Sequence, residues 1–99
     1  MCCNFTILKQ TENGMLLHLI HCNKYQLNFK NLNFNFSKEE YDSLFNYLKS
    51  IDCNYWETEY KNSIYEKKIP IPTPQANFII SIDRFELYEI LNLLNFIYI

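Results

Sequence analysis

The sequence predicts an α+β fold: a mainly antiparallel sheet in the order ββββαββα, with two helices packed on one face. Three observations predict it. Runs with strand character flank an Asn-Gly dipeptide, and apolar and polar residues then alternate with period two through residues 24–29 and 32–36. Two later segments open on capping boxes and continue with apolar residues at helical spacing. Between them lies a short strand punctuated by prolines, which suits a sheet edge. At 99 residues the chain has room for one domain, 1–99, and one core.

The only glycine, Gly14, follows Asn13. Asn-Gly between strand-like runs predicts a type I′ hairpin turn, and in that register Phe5 faces Cys22, Ile7 faces Ile20 and Lys9 faces His18. In the next hairpin Tyr25, Leu27 and Phe29 alternate with Lys24, Gln26 and Asn28, and Leu32, Phe34 and Phe36 alternate with Asn33 and Asn35. A two-residue turn at Lys30-Asn31 pairs Phe29 with Leu32, Leu27 with Phe34 and Tyr25 with Phe36. That register puts every apolar residue on one face.

Ser37-Lys38-Glu39-Glu40 has the form of a capping box. Tyr41, Leu44, Phe45, Leu48 and Ile51 then make an apolar stripe that can cover the hairpin face. From Asp52 to Lys67 neither period holds, which predicts a long connection. Ile69-Pro70-Ile71-Pro72 reads as an edge strand, and Phe78, Ile80 and Ile82 as a strand buried on both faces. The last helix opens at Asp83, with Glu86 closing a second capping box. Its core stripe is Leu87, Ile90, Leu91, Leu94 and Ile97. Tyr88, Leu93, Phe96 and Ile99 fall outside that stripe, and Glu86, Glu89, Asn92 and Asn95 form a narrow polar strip.

Hydrophobic content of 48% with 17% aromatic residues argues against disorder. Nine basic residues stand against eleven acidic ones, so no long-range field draws the chain to phosphate. Four strands followed by a helix resemble the repeat of Pur-type single-strand binders. The open face, however, offers one lysine, Lys24, among Gln26, Asn28, Asn33 and Asn35, so nucleic acid is not the expected partner. No apolar run reaches the roughly 18–20 residues of a membrane helix, and no secretory leader is present, so the expected location is cytoplasmic.

Cysteines in such a compartment are thiols or metal ligands. Cys2, Cys3, His21 and Cys22, with His18 nearby, could supply the three or four nitrogen and sulfur ligands of a tetrahedral zinc site, with Cys3 lying diagonally across the first hairpin from Cys22. The alternative is that the cysteines are small buried hydrophobes and no cofactor is bound. Catalysis is not expected. There is no glycine-rich phosphate loop, and His21, adjacent to Cys22 in a strand, would point away from it.

The expected function is that of a non-enzymatic interaction or regulatory module that forms a homo-oligomer or binds another protein. Its contact residues would be Tyr55, Trp56 and Tyr60 in the long connection, and Leu93, Phe96 and Ile99 on the last helix. A helix apolar on nearly all sides is either deeply buried or covered by another chain.

The Cys after Met1, the hairpin Gly14, and Cys22 followed by Tyr25-Gln26-Leu27-x-Phe29 resemble a group of short bacterial proteins that form a family of unknown function. The similarity extends through Leu32-x-Phe34 and the closing Leu-rich helix. That group carries Cys-x-x-Cys before its Tyr-Gln-Leu segment, where this chain has Leu19 and Cys22. The resemblance implies no activity.

Overall fold

The strand-like runs of the first 36 residues form four strands: β1 (Phe5–Gln10), β2 (Gly14–Leu19), β3 (Lys24–Phe29) and β4 (Leu32–Phe36). They form one antiparallel sheet in the order β1-β2-β3-β4. The computed structural model describes residues 4–64, 66–73 and 77–95. Phe29 pairs with Leu32, Leu27 with Phe34 and Tyr25 with Phe36, the register the alternation predicts.

The first hairpin takes a different register. Phe5 pairs with Leu19, Ile7 with Leu17 and Gln10 with Met15, with a bulge between Ile7 and Lys9. The turn therefore falls on Glu12-Asn13, closed by the Thr11 amide on the Gly14 carbonyl at 2.9 Å. Neither Asn13 nor Gly14 has positive φ. Gly14 is required by packing instead: a Cβ there would stand 2.6 Å from the Asn28 carbonyl oxygen and 3.0 Å from Leu93 Cδ1. Since the sheet turns again over residues 20–23, with Asn23 at φ 50°, Cys22 lies in that turn and not opposite Phe5.

Helix α1 (Lys38–Lys49) begins at a complete capping box of Ser37 and Glu40. It buries Tyr41, Phe45 and Leu48. The stretch predicted as a long connection contains a helix, α2 (Cys53–Glu59), capped by the Asp52 carboxylate on the Asn54 and Tyr55 amides. Local capping and packing of Cys53 and Trp56 on the core outweigh the absence of a clean period over so short a span. Strands β5 (Ile69–Pro72) and β6 (Ile79–Ile82) form a sheet of their own. β6 is buried only at Ile82, with Ile79 exposed, because a two-stranded hairpin has one covered face.

Helix α3 (Arg84–Leu94) opens at the Asp83–Glu86 capping box. It packs beside α1 on the same face of the four-stranded sheet, burying Leu87, Ile90, Leu93 and Leu94. The buried Tyr41 hydroxyl donates to the Leu94 carbonyl and links the two helices. A single apolar cluster runs from Leu16, Leu27 and Phe29 through Tyr41 and Phe45 to Ile69, Ile82 and Ile90.

The sheet edges differ. β1 carries the bulge and Lys9, features that discourage pairing. Pro70 and Pro72 have no N–H, so Ile69 and Ile71 carry the ladder to Ile82 and Ile80, and β5 turns its prolines outward. The Pro70 carbonyl accepts from the Tyr47 hydroxyl at 3.2 Å. β6 has only Ile79 and Ser81 to offer outward. β4 has none of these protections.

Candidate functional site

The polar strip of α3 meets the hairpin turns. The Glu89 carboxylate accepts from Thr11 Oγ1 at 2.6 Å, the Asn13 amide at 2.9 Å and Asn13 Nδ2 at 2.9 Å. One turn earlier, Glu86 is buried, and its Oε2 accepts from Lys30 Nζ at 2.6 Å and Lys67 Nζ at 2.8 Å. Its Oε1 takes the Asp83 amide at 3.0 Å. Burial alone would push the Glu86 carboxyl up, but the hydrogen bonds from Lys30, Lys67 and Asp83 outweigh it and hold the group at about 2. The Glu86–Lys30–Lys67 anchor was not legible as such, since the sequence shows Glu86 only as part of a narrow polar strip. The one available signal was its capping position in an otherwise apolar helix. With its acceptors filled, the cluster is an anchor and not an open ligand site.

The predicted contact residues divide. Trp56 stacks on Tyr60 with ring planes 3° apart and centroids 5.7 Å apart, while Tyr55 meets Trp56 edge-on at 5.1 Å. Trp56 is half-buried against the core, whereas Tyr55 is exposed. Leu93 does not spill outward: it is fully buried, because α3 turns it onto Gly14 and Phe29. Phe96 and Ile99 lie outside the described residues. The exposed aromatics of α3 are Phe85, 79% exposed, and Tyr88, 51% exposed, which share one helical face. Arg84 ties this face to α2, with Nη2 2.6 Å from Glu57 Oε1 and 2.7 Å from Asn54 Oδ1. Between α1, α2 and α3 a cleft of about 250 Å³ is lined by Ile51, Leu87, Tyr88 and Leu91.

His21 and Cys22 sit in the turn after β2, and His18 lies within β2. His21 Nε2 lies 2.9 Å from Asn4 Nδ2, and His18 Nε2 lies 3.0 Å from Asn23 Oδ1, so the two imidazoles face different partners. Cys22 is disulfide-bonded. Cys2 and Cys3 lie outside the described residues. Cys53 is a buried free thiol. Among the described residues no three His, Cys, Asp or Glu side chains are grouped to hold a metal ion.

A groove of about 750 Å³ lies along β4. Phe34, Phe36, Leu44 and Ile71 give it apolar walls, and Asn33, Asn35, Glu39, Glu40, Ser43 and Thr73 add polar groups. Sequence reasoning missed it, because Ile71 and Thr73 reach it from a part of the chain remote from β4 and α1.

Comparison with known proteins places the chain in a family. The model of the "Family of unknown function (DUF6686)" matches residues 1–98, so the chain belongs to that family. No curated protein and no solved structure matches it. Among the described residues no helix is long and apolar enough to cross a membrane.

Proposed function

We propose that this member of a family of unknown function is a non-enzymatic interaction module that associates with a second copy of itself through the aromatic face of α3 and α2. The observation that carries the reading is the pair Phe85 and Tyr88. Two large rings on one helical face stay open to solvent, although the same helix buries Leu87, Ile90, Leu93 and Leu94. Arg84, bound to Glu57 and Asn54, fixes this face relative to Tyr55. Aromatic side chains on a rigid element suit a contact surface, and a two-fold axis would set each such patch on its own copy.

Sedimentation of the wild type and of a Phe85→Glu, Tyr88→Glu double variant tests this. The wild type should be dimeric at micromolar concentration, and the variant a folded monomer with an unchanged circular dichroism spectrum. A wild type that stays monomeric removes the proposal.

A further inference from the structure

We infer that the outer edge of β4 is a binding site for an extended, lysine- or arginine-bearing peptide segment, which would join the sheet as a fifth strand. Phe29 and Leu32 flank a two-residue turn and are bridge partners, so they exchange both ladder hydrogen bonds. By alternation, Leu27–Phe34 and Tyr25–Phe36 do the same, which leaves the N–H and C=O groups of Asn33 and Asn35 directed away from β3. These groups form a ladder template with no partner strand among the described residues, and they open into the groove described above.

The groove has the character such a strand requires. Side chains of an added strand would alternate between the Phe34, Phe36, Leu44 and Ile71 walls and the open face of the sheet. The charged side chains lining it, Glu39 and Glu40, are both acidic. Glu40 is held by the Ser37 cap, but Glu39 is exposed on the first turn of α1 and has no hydrogen bond or ion pair among the described residues. A cationic residue on the added strand therefore complements the site. β5, on the far side, has prolines at its outer edge and so has no N–H there to donate to the outward carbonyls of β4. The site is separate from the aromatic face of α3 and does not depend on self-association.

The probe is a short capped peptide alternating valine and lysine, titrated into the full chain labelled with nitrogen-15. The expected result is saturable shifts at the amides of Asn33 and Asn35, with slowed hydrogen exchange there. The same peptide N-methylated at alternate residues keeps its charge but cannot complete the ladder, and should bind at least ~tenfold more weakly. Glu39→Lys should weaken the unmodified peptide by about tenfold as well. Asn35→Pro removes an outward N–H that the β3 ladder does not use, so it should abolish the shifts at Asn33. If that variant unfolds, the N-methylated peptide still decides the matter. Equal binding of the two peptides, or shifts confined to residues away from β4, would overturn the inference. So would exchange protection of Asn33 and Asn35 that rises with protein concentration in the absence of peptide, since that outcome assigns the edge to a second copy.

Discussion

Gly14 and Leu93 pack directly against each other. A Cβ on the glycine would come within 3.0 Å of Leu93 Cδ1, while the Asn28 carbonyl oxygen, which cannot rotate aside, would be 2.6 Å away. Gly14→Ala should therefore lower stability by about 1–3 kcal/mol through overpacking, read as a lower urea midpoint at constant m. An unchanged midpoint would show that α3 shifts freely on the sheet.

Acid should unlock the Glu86 anchor. The folded carboxyl is held at about 2 against an ordinary value of 4.5, so its contribution is complete above pH 4.5 and is lost as pH falls from there towards 2. The shift corresponds to something on the order of 3 kcal/mol. Glu86→Gln should flatten this limb of the stability profile in urea titrations from pH 7 to pH 2. A residual slope is expected, because Ser37 lowers Glu40 and Thr11 lowers Glu89. An acid limb identical in wild type and variant would contradict the assignment.

Leu93 and Phe85 should respond in opposite ways although both are large apolar residues of α3. Leu93→Ala empties a fully buried position and should cost about 2–5 kcal/mol. Phe85→Ala removes an exposed ring and should change monomer stability by no more than about 0.5 kcal/mol. Thermal melts at low protein concentration separate the two.

Trp56, the only tryptophan, reports on α2. Half-buried and stacked on Tyr60, it should emit to the blue of free tryptophan and be only partly accessible to iodide. Tyr60→Ala should move the emission to the red. Fully exposed emission in the wild type would mean that α2 does not rest on the core.

Where burial and period coincide, the sequence was readable. The β3–β4 register followed from matched alternation, since a one-residue slip would have turned Leu27 and Phe34 to solvent. Both capping boxes followed from side-chain chemistry confined to four residues. Asn13-Gly14 misled because its local turn preference lost to the packing of α3 on β2, a contact between residues far apart in the chain. Leu93 misled for the same reason, as the core stripe of α3 is wider where Gly14 lets the helix come close. The two lysines on Glu86 come from separate connections and leave no pattern in any short window.

Glu86 and Glu89 together make α3 a brace across the β1–β2 and β3–β4 turns, which lie at one end of the four-stranded sheet. The Lys30 amide on the Asn13 carbonyl, at 2.8 Å, joins those turns directly. Neither turn can fray alone without breaking a bond to the helix, so transient opening is coupled: releasing α3 frees both turns, and the β3–β4 turn cannot open while Glu86 holds Lys30. In native-state hydrogen exchange the amides of Asn13 and Lys30 would then share the opening free energy of α3 and exchange as one cooperative unit.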